Sequence, residues 1–179
     1  AGAVNANPAF LQGFLAASSA TASEYLARGL NANVATHPLG QDLVSVLVAN
    51  LNAATAEALA QGINRNVAAD PTDNLLTGLL ANAEGPTGAA IAAGLNSNAD
   101  FLQTMVEKIT PATAIAIAEG MNMSCQNAQS DPARYGFLRN FLANLGPEAA
   151  EKGAEGLAQN AELKPLLTGL LTTLNAGLV

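Results

Sequence analysis

The sequence predicts an all-α chain of tandem helical hairpins, arranged as an α-solenoid or a compact repeat bundle. Three observations support this fold class. Apolar pairs separated by two residues recur along the chain, and that spacing places an apolar stripe on one face of a helix of period 3.6. A glycine follows the start of each complete stripe at a fixed distance. The segments between the hairpins, in contrast, vary in length.

The fixed distance is the most specific of these observations. The six stripes begin at Phe10, Leu43, Leu75, Phe101, Phe137 and Leu166. A glycine lies 19 residues after the start of each of the first five, at Gly29, Gly62, Gly94, Gly120 and Gly156. A packed hairpin cannot change its length, whereas loops on the outside can, so a constant unit with variable connectors is typical of a helical repeat array.

The predicted single domain contains five hairpins and a C-terminal half-unit, with about eleven short helices in all. The hairpins cover residues 8–33, 43–66, 75–98, 101–124 and 137–160, and the half-unit covers 166–179. Residues 1–9 are expected to be a polar, flexible lead-in without regular structure before Pro8. Residues 125–136, which include Cys125, form the longest and most polar connector.

Individual residues mark where the helices begin. Pro8 suits the first turn of a helix, where no N–H is needed. Asp42 and Thr55 are expected to be N-caps, because their side-chain oxygens can accept from a free N–H of the first turn. The later second helices each have a proline at a first helical position, namely Pro86, Pro111 and Pro147.

The repeated glycine needs an explanation, because glycine inside a helix costs about 0.5–1 kcal/mol relative to alanine. One explanation is a close helix–helix contact that leaves no room for a Cβ. The other is that the helix bends or ends there and the following Asn adopts a left-handed cap. On either explanation, the sequence Gly-apolar-Asn-x-Asn is expected to end the helix.

The asparagines near these glycines are the only repeated polar set: Asn31, Asn33, Asn64, Asn66, Asn96, Asn98, Asn122 and Asn160. We interpret them as structural, combining helix capping with a ladder of amide hydrogen bonds between units. The alternative is a polar binding stripe for a glycan or a peptide.

Composition excludes several classes of partner. The net charge is −7, charged residues make up 12% of the chain, and the seven cations are scattered. Nucleic acid and anionic lipid both require basic patches, so neither is expected as a partner. No run approaches the ~20 apolar residues of a transmembrane helix. The small-residue N-terminus resembles a mature end after signal-peptide removal, which predicts a secreted or cell-surface protein.

The residues that carry chemistry are few, and no catalytic, cofactor-binding or metal site is expected. His37 is the only histidine, in an exposed loop, and Cys125 is the only cysteine. Residues 96–100 place side-chain oxygens at the first positions of a calcium loop, with Glu107 at its twelfth. Phe101 occupies the position that requires glycine, and residues 101–107 belong to a predicted helix.

We therefore expect a non-catalytic structural or protein-interaction module without cofactors that binds other copies of itself as a surface or filament subunit. The incomplete C-terminal unit is the candidate interface, through Leu166, Leu167, Leu170, Leu171, Leu174, Leu178 and Val179. A head-to-tail contact of that kind forms a filament when it does not close. The alternative function is a carrier that holds an apolar ligand or lipid between its helix layers.

Overall fold

The computed structural model describes residues 1–131, 136–165 and 167. These residues are mostly helical and contain no strand, which confirms the predicted all-α class. Within this part of the chain the helices are α1 (Gly2–Ala6), α2 (Pro8–Ala17), α3 (Ala20–Thr36), α4 (Leu43–Ala49), α5 (Ala53–Ala69), α6 (Leu75–Asn82), α7 (Gly85–Asn96), α8 (Ala99–Lys108), α9 (Pro111–Ser130), α10 (Phe137–Asn144) and α11 (Pro147–Gln159). Residues 163–165 and 167 are also helical.

From α2 onward, a short helix alternates with a longer one. We call α2, α4, α6, α8 and α10 the short helices, and α3, α5, α7, α9 and α11 the long helices. Each of the first four short helices packs against the long helix of the next pair, giving the contacts α2 with α5, α4 with α7, α6 with α9 and α8 with α11. The last three short helices also pack against the long helix two pairs earlier, giving α6 with α3, α8 with α5 and α10 with α7.

Helices α6 and α8 therefore each lie between two long helices, and the result is a layered packing. Small side chains make this close packing feasible, because Ala56, Ala60, Ala90 and Ala92 are completely buried. The larger core residues, such as Leu51, Leu95 and Phe101, fill the space between the layers.

The N-terminal ends of the helices mostly agree with the sequence predictions. Asp42 is the N-cap of α4 and accepts from the Ser45 N–H at 2.8 Å. The predicted prolines stand in the first turns of α2, α7, α9 and α11. The prediction for Thr55 is wrong: the N-cap of α5 is Asn52, whose Oδ1 accepts from the Thr55 N–H at 2.9 Å.

Four other predictions are corrected, three by the observed helix bounds and one by the backbone φ angles. Residues 1–9 are not an irregular lead-in, since they contain α1 and the start of α2. The Gly-apolar-Asn-x-Asn sequence does not end α3, α5 or α9, which continue several residues beyond it. No described residue other than Gly40 has a positive φ, so the asparagines do not form left-handed caps. Cys125 lies inside α9 rather than in a connector.

No single helix in the described residues combines the length and apolar character needed to span a bilayer. The pair α4 and α5 meets both criteria only when its members are counted together, and it is bent by 115° at the break.

Candidate functional site

Four of the five repeated glycines lie where two helices are in close contact. A Cβ placed on Gly62, Gly94, Gly120 or Gly156 would meet α2, α4, α6 or α8, respectively. Its nearest atom would lie at 2.8, 2.7, 2.8 and 2.6 Å, respectively, closer than real Cβ contacts allow. The close-contact explanation is therefore confirmed at these four positions.

The fifth glycine, Gly29 on α3, differs from the other four. It is exposed, and a Cβ added there would meet nothing within 4 Å. Leu26, one turn earlier, is also exposed, whereas its counterparts Leu59, Ile91 and Ile117 are half-buried.

Two further residues extend this open region of α3. Ala22 is half-buried, although the equivalent Thr55, Thr87, Thr113 and Ala149 are all buried. Asn33 lies on the same side, four residues after Gly29. We call the surface formed by Ala22, Leu26, Gly29 and Asn33 the α3 face. The residues equivalent to Gly29 and Asn33 contact the short helix of the preceding pair or the turn just after it. The threonines equivalent to Ala22 instead bind an asparagine of an earlier helix.

The first asparagine after each glycine connects its long helix to a turn two pairs later. Asn31 Nδ2 donates to the Asn82 carbonyl at 3.0 Å, and its Oδ1 accepts from the Glu84 N–H at 3.1 Å and the Thr87 hydroxyl at 2.8 Å. Asn64 makes the same three bonds with Lys108, Thr110 and Thr113. Asn96 makes the first two, with Asn144 and Gly146.

Asn5, which the sequence analysis did not single out, makes the same three bonds with Asn50, Asn52 and Thr55. The signal that could have identified it is the Val-Asn-Ala-Asn sequence at residues 4–7, which resembles Leu-Asn-Ala-Asn at 30–33. Asn122, the corresponding residue on α9, is exposed.

The asparagine four residues after the glycine binds a helix pair that comes earlier in the sequence. Asn66 Nδ2 donates to the Ser18 carbonyl at 2.6 Å. Asn98 Nδ2 donates to the Val48 and Leu51 carbonyls at 2.8 and 2.7 Å. Asn160 Nδ2 donates to the Val106 and Ile109 carbonyls at 2.8 and 2.9 Å. All these acceptors lie at or just after the end of the short helix of the preceding pair, where carbonyls lack an intrahelical donor.

Asn33 has the same position in its helix pair, but only its Oδ1 makes the corresponding hydrogen bond. Its Oδ1 accepts from the Leu43 N–H at 2.8 Å, as Asn66 Oδ1 accepts from the Leu75 N–H. The described part of the chain offers no short-helix carbonyl to its Nδ2. Most of these asparagines therefore bind main-chain groups and threonine hydroxyls of other helices and of the turns beside them.

The short helices at the N-terminal end are open on one side. Phe10 and Leu43, which begin the first two stripes, are 71% and 56% exposed. The equivalent Leu75, Phe101 and Phe137 are only 4%, 7% and 3% exposed. Those three lie on short helices that pack against α3, α5 and α7, and the described chain places no long helix at the same side of α2 or α4.

Helix α9 borders an apolar groove of about 670 Å³. The groove is lined mainly by apolar side chains, among them Ala114, Ile115, Ala118, Met121 and Leu167. Ala118 is exposed, although the equivalent Ala27, Ala60 and Ala92 are buried beneath α6, α8 and α10.

Of the predicted interface residues, the structure places Leu167, which is helical and half-buried at this groove. The others lie outside the described residues: Leu166, Leu170, Leu171, Leu174, Leu178 and Val179.

Reactive side chains are dispersed in the described residues, which hold no group of three or more His, Cys, Asp or Glu that could bind a metal ion. His37 caps the exposed end of α3, its Nδ1 lying 2.8 Å from the Asn33 carbonyl. Asn98 directs its amide to α4 carbonyls, and Ala99–Lys108 form α8, so residues 96–107 do not form a calcium loop.

Asp42 is the one completely buried carboxylate among the described residues. Burial alone would raise the pKa of Asp42. Hydrogen bonds from the Ser45 N–H, the Ser45 hydroxyl and the Gly40 N–H outweigh burial and hold the pKa below its ordinary value. Ser45 Oγ also lies 2.9 Å from the Ala90 carbonyl oxygen, so its one hydroxyl proton is shared between the carboxylate on α4 and a main-chain acceptor on α7.

Comparison of the chain with protein-family models, curated proteins and solved structures finds no match.

Proposed function

We propose that the chain is a non-catalytic module of tandem helical repeats that binds other copies of itself through residues 166–179, as a surface or filament subunit. Two observations support the repeat interpretation. The same glycine position contacts the preceding short helix in four pairs, and the same asparagine position binds a turn two pairs later in three.

The observation that best supports self-association is a six-residue sequence that occurs twice in the chain. Residues 75–80 and 166–171 have the same six residues, Leu-Leu-Thr-Gly-Leu-Leu. The first copy lies in α6, a helix packed on both sides, against α3 and against α9. We expect a segment with the same apolar sequence to pack against two long helices as well. Leu167 already lies at the α9 groove, and a second copy of the chain supplies the other long helix.

The composition is compatible with association. Residues 166–179 contain no charged side chain, so bringing this segment against another helix removes none of its own side-chain charge from water. Its leucines provide the apolar surface whose burial drives association, at about 25 cal/mol per Å².

Deletion of residues 166–179 tests this function. By light scattering, we expect the intact chain to exceed its 18.0 kDa monomer mass, increasingly so at higher concentration. The shortened chain should remain a monomer. Leu142→Asp is the matched control for loss of an exposed leucine, since Leu142 lies on α10, and it should associate like the intact chain. A monomer both before and after deletion would contradict the proposal.

The α9 groove supports a second candidate function, a carrier of an apolar ligand. Its volume of about 670 Å³ and its apolar lining resemble those of small-molecule sites. If this is the function, a fluorescent fatty acid should bind with one site per chain, and Ala118→Phe should abolish binding by filling the groove. Ala32→Phe, at an exposed position on α3, is the control. Equal binding by all three proteins would rule out this groove as the site.

A further inference from the structure

We propose that the α3 face is the surface that receives the 166–174 segment of a second copy, in a head-to-tail contact. The inference rests on the proposed self-association and adds the receiving surface, which the sequence does not indicate. The contacts that long helices make elsewhere in the same chain support it.

The contact of α6 with α9 supplies the geometry. A Cβ on Gly120 would lie 2.8 Å from Leu80 Cβ and 3.1 Å from the Thr77 main chain, so the helices touch at this glycine. Residues 166–171 repeat the α6 sequence, and Thr168 and Leu171 correspond to Thr77 and Leu80. Gly29 corresponds to Gly120, and it is the open member of the series.

In the single chain, Gly29 makes α3 less stable than alanine would, by about 0.5–1 kcal/mol, and no contact there compensates for this loss. At the four other positions, a packed helix leaves no room for a side chain. The same reason applies to Gly29 if a helix of a second copy lies there. Leu26, which is more exposed than its counterparts Leu59, Ile91 and Ile117, would be covered by the same helix.

The Asn33 amide on the α3 face is complementary to main-chain carbonyls of the 166–174 segment. Asn98 and Asn160 donate to the carbonyls five and eight residues after the start of the preceding stripe, Val48 and Leu51 in one case and Val106 and Ile109 in the other. Counted from Leu166, these positions are Leu171 and Leu174. Asn33 Nδ2 is placed to donate to those carbonyls of the second copy.

The contact joins two different surfaces, because a segment of one copy meets the α3 face of the next. Each added copy therefore presents a new α3 face or a new segment. A heterologous contact of this type continues as an open chain unless its rotation closes a ring.

A mixing experiment tests the assignment. Gly29→Leu blocks the α3 face and leaves residues 166–179 intact. Leu171→Asp disables the segment and leaves the α3 face intact. Each variant alone should be monomeric by sedimentation velocity, with a dissociation constant raised at least about tenfold. Mixed in equal amounts, the two should form a heterodimer and nothing larger, because each supplies the surface that the other lacks.

Controls separate this contact from a loss of folding. Ala32→Leu, at an exposed position of the same helix, should associate like the wild type. Leu26→Asp should repeat the effect of Gly29→Leu without changing a glycine. Circular dichroism should show unchanged helix content in every variant, since a Cβ on Gly29 meets nothing in the single chain.

The possible failures are distinguishable. If the wild type is monomeric throughout, or if Leu171→Asp associates normally, the proposed function itself is wrong. If Leu171→Asp is monomeric but Gly29→Leu and Leu26→Asp associate normally, only the receiving surface is wrong. A mixture that stays monomeric also overturns the α3 assignment, as does oligomerisation of folded Gly29→Leu alone.

Discussion

At the scale of single residues, a glycine is useful in this protein where two helices touch. The loss of helix stability at each such glycine is offset by the packing that the absent Cβ allows. The same residue type therefore has opposite effects at two equivalent positions. At Gly62 the Gln12 carbonyl lies 2.8 Å from a built Cβ, whereas Gly29 is surrounded by open space.

Alanine substitution should reveal this difference as a change of sign. Gly62→Ala should lower the free energy of unfolding by about 1–3 kcal/mol, because the added methyl overpacks against main-chain atoms. Gly29→Ala should raise it by about 0.5–1 kcal/mol, because only helix propensity changes. Denaturant unfolding of dilute, monomeric protein measures both. Equal effects at the two sites would contradict the close-contact explanation.

The buried Asp42 carboxylate predicts a dependence of stability on pH. Its pKa is lower in the folded chain than the ordinary value of 3.8, so its charge stabilises the fold. This contribution is fully present above the ordinary pKa and is lost as the pH falls through the lower folded value.

Asp42→Asn keeps a capping oxygen but removes the charge. Its free energy of unfolding should lie below that of the wild type at neutral pH, and the difference should narrow as the pH falls to about 3. Asp42→Ala also removes the cap, so it should lose about 0.5–2 kcal/mol even at low pH. Urea unfolding at several pH values measures these differences. A constant gap between wild type and Asp42→Asn would show that the charge contributes nothing.

At the scale of the helices, asparagine amides connect elements that are distant in sequence. Asn31 joins α3 to the turn that precedes α7, through a main-chain carbonyl, a main-chain N–H and the buried Thr87 hydroxyl. These groups lie at helix ends, where the backbone lacks partners within the helix. One amide therefore both caps a turn and sets the position of a neighbouring helix pair.

Asn31→Ala should cost about 1–3 kcal/mol, because it leaves polar groups near Thr87 without their partner. Asn50→Ala is the control, since the Asn50 amide donates only to the Val46 carbonyl one turn earlier and is exposed. It should change the free energy of unfolding by less than about 0.5 kcal/mol. Thermal or chemical unfolding of both variants provides the comparison. Equal losses would indicate that the tertiary bonds of Asn31 add nothing.

The sequence predicts the helix bounds well where apolar periodicity determines them. It predicts them poorly where tertiary contacts determine them. The apolar spacing locates the short helices, since their bounds follow the stripes that start at Leu75 and Phe137. It does not show that α5 and α9 continue past their asparagines. Asparagine favours helix ends in isolation, but in α5 the amides of Asn64 and Asn66 bind groups of other helix pairs, and the helix continues past them.

The candidate site was only partly predictable for the same reason. The stripe beginning at Leu166 is visible in the sequence, because it repeats α6. The α3 face is not, because the sequence around Gly29 is similar to the sequence around Gly62. Only the contacts show that one is covered within the chain and the other is open.

At the scale of the whole molecule, helices at the two ends differ in which side is open. At the N-terminal end, α2 and α4 expose the apolar residues Phe10 and Leu43, and α3 exposes the Gly29 side. Near the C-terminal end, α9 exposes Ala118 beside its groove. Interior helices bury these same positions against one another. In our proposal, the α3 face of one copy and residues 166–174 of another make the same kind of contact that long and short helices make in the interior.

The most direct test is the size distribution of the intact chain by sedimentation velocity over a wide range of concentrations. The proposed head-to-tail contact predicts monomer at low concentration, then dimer, trimer and larger species in succession, because each copy leaves one surface free. A single monomeric species at every concentration would contradict the proposal. So would a dimer that never grows, since that result indicates a closed, symmetric contact.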